Sequence, residues 1–302
     1  MKTEIYYFTS TGNSLVIAKQ LSEYLDASLL PIASFDAMES VKSDADAIGL
    51  VFPVYYASLG GSGVPLLVER FINKLTDIES KYFFAISTHS GIPAYTIRTL
   101  QDMIERRGGK LSLGFDIMMS IPFNPIAKVL HSLVGYKLKV NPRIEAQKRN
   151  ALWEKYSIIV NRAGSMIAAR IQIEPIKRNK TKDSLAALFL RLQNKMTISR
   201  FAKITGSDLG SLCEMIPNMD KGFRLTSKCD GCGICAKVCP VCNIKIIAGG
   251  PSWQGKCETC YACYQWCPRT AIAGPSIEFE KKYHHPDVAL RDMYRQSEGI
   301  RK

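Results

Sequence analysis

Short apolar runs alternate with amphipathic stretches over residues 1–171. Apolar runs with the length of buried strands occur at Ile5–Phe8, Ala47–Phe52, Tyr82–Ser87 and Lys110–Met119. Stretches with helical spacing occur at Asn13–Leu25, Val64–Leu75, Ala94–Arg107 and Arg143–Ile171. Because strands that alternate with helices pair in parallel, with helices covering both faces, this pattern predicts an α/β fold with a doubly wound parallel sheet.

The remaining residues follow different patterns. Leu185–Lys203 is amphipathic at helical spacing and carries several basic residues, so residues 172–224 are predicted to be a basic helical connector. This helix either packs on a neighbouring part of the chain or docks on a partner or an anionic membrane surface. Lys228–Ile246 and Lys256–Ile272 share one plan of cysteines followed by a short apolar tail, which predicts a small domain with pseudo-twofold symmetry. The charged tail, residues 279–302, is expected to be peripheral, with a helix near Pro286–Tyr294.

Composition indicates a globular protein with a thiolate centre. The chain is 46% hydrophobic and 22% charged, and no stretch reaches the about 18 apolar residues of a membrane span. The N-terminal residues lack the pattern of a secretory signal, so we expect the protein in the cytoplasm. Nine of the ten cysteines lie between Cys229 and Cys267, which favours metal ligation in a reducing compartment over a disulfide framework.

The net charge of +13 is spread along the chain. Residues 171–224 hold 10 Lys and Arg against 5 Asp and Glu, a net of +5, and include the basic run Lys177, Arg178, Lys180 and Lys182. Such a run is either a solvated linker or a docking patch for an acidic protein. We therefore expect a redox partner protein with an acidic surface and no nucleic acid. The sequence leaves the oligomeric state open.

The cysteines form two C-x2-C-x2-C-x3-C-P runs. Three cysteines at intervals of three reach three irons of a cubane, and the fourth iron needs a ligand from elsewhere. In two-cluster ferredoxins the Cys of each Cys-Pro pair ligates the other cluster. We therefore predict two [4Fe–4S] clusters, one held by Cys229, Cys232, Cys235 and Cys267, the other by Cys257, Cys260, Cys263 and Cys239. Zinc usually takes two spaced Cys pairs, which this pattern does not match.

Two cysteines fall outside the predicted ligand sets. Cys213 precedes both runs, and Cys242 occupies a position that is not a ligand in a ferredoxin repeat. At these positions we expect a buried or inert thiol.

A hydroxyl-rich loop follows the first predicted strand and opens a helix. It reads Thr9-Ser10-Thr11-Gly12-Asn13-Ser14 and contains no Lys or Arg. Backbone N–H groups at a helix N-terminus, together with hydroxyls, can hold a phosphate without a cation. The Walker A pattern and the G-x-G-x-x-G dinucleotide pattern are absent from the sequence.

This loop resembles the T/S-x-T-G-x-S/T phosphate loop of flavodoxins, whose cofactor is FMN. The resemblance implies a flavodoxin-like fold with the phosphate held by Thr9, Ser10, Thr11, Gly12, Asn13 and Ser14. It also implies that two later loops hold the flavin ring, with Pro53, Tyr55 and Tyr56 in one and Thr88, His89 and Gly91 in the other. Tyr55 or Tyr56 would stack on the ring.

The whole chain resembles bacterial and archaeal flavodoxin–ferredoxin fusions of the EFR type. That resemblance implies a flavodoxin-like domain over residues 1–171, a connector over 172–224, a small α+β two-cluster ferredoxin domain over 225–278 and a tail over 279–302. Its implied function is electron transfer between FMN, the clusters and an external partner. Electron transfer needs no catalytic acid, base or nucleophile, and the sequence shows no such signature.

Two alternatives stay open. The first is a flavin-dependent reductase of a small organic substrate, with residues 120–142 as a lid. The second is a redox-sensing or membrane-docking protein that uses the 185–203 helix.

Overall fold

The main sheet has five parallel strands. The computed structural model describes residues 2–59, 61–90, 93, 95–119, 142–173, 185, 188–189, 192, 195–207, 212–274 and 282–299. The strands are β1 (Thr3–Tyr7), β2 (Ser28–Pro31), β4 (Ala47–Pro53), β6 (Tyr82–His89) and β7 (Leu111–Met118), and their spatial order is β2-β1-β4-β6-β7. Counted within this sheet, the order is 2-1-3-4-5, the flavodoxin-like order. The predicted α/β fold is confirmed.

Helices cover both faces of this sheet. They are α1 (Asn13–Leu25), α2 (Leu66–Lys74), α3 (Thr96–Arg106) and α4 (Pro142–Ala168), and a second, two-stranded parallel pair joins β3 (Val41–Lys42) to β5 (Leu75–Thr76). The first six residues of β4 and the first seven of β6 are buried, as expected for central strands covered on both sides. The sheet core therefore follows from the apolar runs.

Two helices precede the two cysteine runs. They are α5 (Lys195–Thr205) and α6 (Leu212–Asn218), and both pack against the loop after β4 through Leu59. Leu185, Leu188, Phe189 and Leu192 are helical and exposed. Within the described ranges, no helix is both long and apolar enough to cross a membrane.

The cysteine segment (residues 225–274) consists of short elements in two similar halves. These are β8 (Arg224–Leu225), α7 (Ile234–Val238), β9 (Ile244–Ile247), β10 (Gly250–Trp253), α8 (Ala262–Gln265) and β11 (Ile272–Ala273). The two runs are offset by 257 − 229 = 28 residues, and the left-handed backbone positions repeat at the same offset. These positions are Gly231 and Thr259, Gly233 and Tyr261, and Cys242 and Thr270. The repeat seen in the sequence is therefore a repeat of backbone conformation.

The tail segment (residues 282–299) differs from expectation. Its helix, α9 (Leu290–Glu298), packs against α7 and against the short helix Ile32–Phe35. His285, Met293, Gln296 and Ser297 have no exposed surface. The expectation of a peripheral tail is therefore wrong for these residues, and the side chains of Gln296 and Ser297 form hydrogen bonds inside the protein.

Candidate cofactor sites

A cavity lies at the carboxyl ends of β1, β4 and β6. It holds about 500 Å³ of empty space and is lined by residues of the Thr9–Ser14 loop and of the segments that follow β4 and β6. Its lining residues are Thr9, Ser10, Thr11, Asn13, Ser14, Pro53, Val54, Tyr55, Thr88, His89, Ser90 and Met119. We call it the strand-end cavity. Open parallel sheets bind ligands at this edge.

The Thr9–Ser14 loop presents donors to this cavity. Gly12 precedes α1 with a φ of 96°, and its N–H donates to Thr9 Oγ1 at 3.0 Å. Asn13 and Ser14 begin α1, so their N–H groups have no partner within the helix. The hydroxyls of Ser14 and Thr88 lie 2.8 Å apart, which joins the loop to β6. Amide and hydroxyl donors without a cation fit the phosphate of FMN.

The predicted ring-binding residues divide into three groups. Pro53, Tyr55, Thr88 and His89 line the strand-end cavity. Tyr56 does not line it, because its backbone is left-handed and its hydroxyl donates to the carbonyls of Glu258 and Thr259, at 3.0 and 3.2 Å. Gly91 lies outside the described residues, as do residues 120–141 of the predicted lid. Tyr55 is therefore placed to contact a ring, whereas Tyr56 contacts the cysteine segment.

One titratable pair borders this cavity. Burial lowers the pKa of His89, while the Asp116 carboxylate acts in the opposite sense. Burial raises the pKa of Asp116, against a hydrogen bond from the Ser87 hydroxyl and the effect of His89, both of which lower it. With a pKa below its usual range, His89 is mostly neutral at pH 7 and can donate or accept a hydrogen bond.

The cysteines line two separate cavities. The first cysteine cavity, with about 330 Å³ of empty space, is bordered by Cys229, Cys232, Cys235 and Cys267. The second, with about 310 Å³, is bordered by Cys239, Cys257, Cys260 and Cys263. Each grouping takes three cysteines from one run and the Cys-Pro cysteine of the other, as crossed ligation requires. The ligand assignment stays a prediction that these groupings support.

In each half of the repeat, a backbone N–H lies close to the sulfur of the Cys-Pro cysteine. Among the described residues, no group of three or more His, Cys, Asp or Glu side chains is arranged to hold one metal ion. The Asn243 N–H lies 3.2 Å from Cys239 Sγ and the Ala271 N–H lies 3.4 Å from Cys267 Sγ, a pair of contacts related by the repeat. Such N–H groups tune the potential of a cluster.

The remaining two cysteines line neither cysteine cavity. Cys213 lies in α6 and is exposed, and Cys242 has the left-handed backbone of its counterpart Thr270. Both were predicted not to be ligands, and their positions agree with that prediction.

Hydrogen bonds and an ion pair attach the cysteine segment to α2 and to the Thr9–Ser14 loop. The buried Glu258 carboxylate lies 2.9 Å from the Arg70 guanidinium and accepts the Leu67 N–H at 3.1 Å. The Trp266 indole N–H donates to the Ser10 carbonyl at 2.8 Å. Since Glu258 lies between two cysteines of the second run and Trp266 precedes Cys267, both cysteine groupings are held against the sheet.

The contacts made by the tail segment were not predicted from the sequence. The Gln296 amide bonds both the N–H and the carbonyl of Thr9, and the His285 N–H donates to the Thr11 carbonyl at 2.8 Å. The only available signal was the sparse apolar spacing of α9. Polar residues that pair with a backbone leave no periodic pattern in a sequence.

Comparisons with known proteins bear on both parts of the chain. Residues 225–241 match the family model described as a 4Fe-4S binding domain. No curated protein matches the chain. A candidate flavoprotein from Bacteroides uniformis ATCC 8492 is 20% identical over 39% of this chain and 91% of its own, with a TM-score of 0.31. A flavodoxin from Streptococcus pneumonia TIGR4 is 13% identical over 41% and 88%, with a TM-score of 0.31.

The structural similarities are too weak to carry an argument, so the fold assignment rests on the strand order. The chain thus combines a flavodoxin-like sheet with a segment that matches a 4Fe-4S binding domain.

Proposed function

We propose that this flavodoxin-like chain is an electron-transfer flavo-iron–sulfur protein. FMN would occupy the strand-end cavity, and one [4Fe–4S] cluster would occupy each cysteine cavity. Bound FMN exchanges one or two electrons and each cluster exchanges one, so the pair converts between two-electron and one-electron chemistry. The observation that carries the proposal is the separation of eight cysteines into two crossed groups of four beside a phosphate-compatible cavity.

The residues between the cavities favour short-range transfer. Tyr55 lines the strand-end cavity and packs in the same apolar cluster as Cys260. The ring centroids of Tyr55 and Tyr56 are 5.9 Å apart, and Tyr56 bonds the backbone between Cys257 and Cys260. These contacts link the strand-end cavity to the second cysteine cavity.

One predicted cluster ligand is exposed to solvent. Cys232 of the first cysteine cavity is exposed, whereas Cys263 of the second is buried. A protein partner would therefore approach the first cysteine cavity most closely. The basic residues of the chain favour an acidic partner, because complementary charge raises the rate of association.

Cofactor content tests this proposal directly. Protein purified without oxygen should contain about eight irons and one FMN per chain. The measurement is iron quantification together with the flavin spectrum, before and after addition of FMN. A full complement of iron with no flavin after FMN addition would overturn the flavin half, and about four irons would overturn the two-cluster half.

A further inference from the structure

We infer that Gln296 is a positioning residue for the phosphate of the flavin, acting through the backbone of Thr9, and that the tail segment completes the FMN site. The inference rests on the proposed FMN function.

The contact between Gln296 and Thr9 is buried and complete. Gln296 has no exposed surface, and Thr9 is almost fully buried. Gln296 Oε1 accepts the Thr9 N–H at 2.7 Å, and Nε2 donates to the Thr9 carbonyl at 2.9 Å. One side-chain amide therefore satisfies both backbone groups of the residue at which the loop leaves β1.

Two further carbonyls of the loop are held in the same manner. The Ser10 carbonyl accepts the Trp266 indole N–H, and the Thr11 carbonyl accepts the backbone N–H of His285, both at 2.8 Å. Three successive peptide units are thus bonded through their oxygens to the cysteine segment and the tail.

Because a peptide unit is planar, these hydrogen bonds also determine the direction in which the N–H groups of the loop point. In a planar trans peptide, the N–H points opposite to the carbonyl of the preceding residue. Since the carbonyls of Thr9 and Ser10 bond to Gln296 and Trp266, the N–H groups of Ser10 and Thr11 point away from those side chains. Both residues line the strand-end cavity. Gln296 therefore fixes an amide that a phosphate needs, without contacting the phosphate.

Other residues of the tail segment also contact the Thr9–Ser14 loop. The Tyr283 hydroxyl donates to Asn13 Oδ1 at 2.8 Å, and Val288 lies where a side chain at Gly12 would project, 2.9 Å from a Cβ built there. At its other end, the Ser297 hydroxyl donates to the Lys237 carbonyl of α7 at 2.5 Å. The tail therefore connects the phosphate loop to the helix of the first cysteine run.

A comparison of FMN with riboflavin tests the inference, because the two differ only in the phosphate. In Q296L both bonds to Thr9 are lost, and we expect FMN to bind about tenfold or more weakly. Riboflavin should bind as it does to the wild type, within about twofold. Affinities are measured by quenching of flavin fluorescence on the iron-loaded full chain, with iron content and circular dichroism as checks of structure.

The matched control is Q254L. Gln254 is exposed and its side-chain amide bonds only Ser252 among the described residues, so this substitution should leave both affinities unchanged. Unchanged FMN affinity in Q296L, or an equal loss for FMN and riboflavin, would overturn the inference.

A milder variant covers the case in which Q296L fails to fold. Y283F removes one hydroxyl bond to the same loop, and we expect FMN to bind about threefold more weakly with riboflavin unaffected. If Q296L does not fold, an FMN affinity of Y283F equal to that of the wild type would overturn the inference. If the wild type itself binds no FMN, the proposed function fails; if only the variants behave as wild type, the inference alone fails.

Discussion

The position of Gly12 requires a left-handed backbone and leaves no room for a side chain. Its φ of 96° is left-handed, and a Cβ at this position would lie 2.9 Å from Val288. Glycine avoids both the strain and the contact. Gly12 therefore allows the loop to turn and the tail segment to approach it closely.

Substitution of Gly12 by alanine is expected to weaken FMN binding. The left-handed backbone alone costs about 1–2 kcal/mol, and the contact with Val288 displaces the loop or the tail. Fluorescence titration with FMN measures the effect. The control is Gly206→Ala, since Gly206 has a φ of 70° with nothing within 4 Å of a Cβ, so only the unfolding midpoint should fall there. Wild-type FMN affinity in Gly12→Ala would contradict the expected role of the contact.

Crossed ligation makes a spectroscopic prediction for Cys267. It belongs to the second run in sequence but lines the first cysteine cavity. We expect Cys267→Ser to perturb the same cluster as Cys232→Ser, because both remove a thiolate from one set. Low-temperature electron paramagnetic resonance of the reduced protein should give matching spectra for these two variants.

The controls are one cysteine of the second predicted ligand set and one cysteine that belongs to neither set. Cys260→Ser should give a different spectrum, and Cys242→Ser should retain the wild-type spectrum and iron content. If the spectrum of Cys267→Ser matched that of Cys260→Ser instead, ligation within each run would be indicated.

At the scale of elements, the buried Glu258 carboxylate attaches the cysteine segment to α2 through an ion pair with the partly exposed Arg70. Glu258 bonds the Leu67 N–H in the first turn of α2 and pairs with Arg70 in the next. Arg70 also forms a bidentate pair with Asp36. The attachment thus joins three segments that are distant in sequence.

Neutralising this pair should destabilise the protein. Glu258→Gln keeps an acceptor for Leu67 but loses the charge opposite Arg70, at an expected cost of about 1–3 kcal/mol. Thermal unfolding followed by circular dichroism measures the change. The control Asp77→Asn neutralises the exposed pair with Lys42 and should leave the midpoint unchanged, because exposed pairs contribute little. An equal shift in both variants would argue against a stabilising role of burial.

The elements predicted from the sequence are those with strong periodicity. Helix α1 has the predicted bounds, and β4 and β6 extend by one or two residues beyond theirs. Strand β2, at the edge of the sheet, was not predicted, because Ser28–Pro31 is short and only partly buried. The direction of Tyr56 depends on a left-handed backbone, and the burial of Gln296 depends on a peptide 287 residues away. Neither property is local, so no sequence pattern reveals it.

At the scale of the whole molecule, the two parts differ in what holds them together. The sheet has a continuous apolar core, whereas the cysteine segment has helices of four and five residues around its cysteine cavities. From its small size we expect this segment to need bound metal to fold. Its cysteines nevertheless pack against the same core as the sheet.

Removal of iron should therefore unfold one part and weaken the other. Chain prepared without iron is expected to be cleaved by protease within residues 225–274, while peptides from β4 and β6 stay protected. FMN affinity should fall as well, because Trp266 and α9 lose their support. Limited proteolysis with mass spectrometry and FMN titration measure both effects. Removal of FMN alone should leave the iron content unchanged, and equal protection of the cysteine segment with and without iron would contradict the role of the metal.

The bond between Thr9 and Gln296 has a consequence for the order of assembly during translation. Thr9 leaves the ribosome first, the eight cysteines follow, and Gln296 emerges after all of them. A nascent sheet can form early, since N-terminal parts of a chain fold first. Its flavin loop, however, lacks Gln296 until both cysteine runs have been synthesised. Under the proposed function, cluster insertion can therefore begin on the ribosome, whereas we expect tight retention of FMN only after synthesis has passed Gln296.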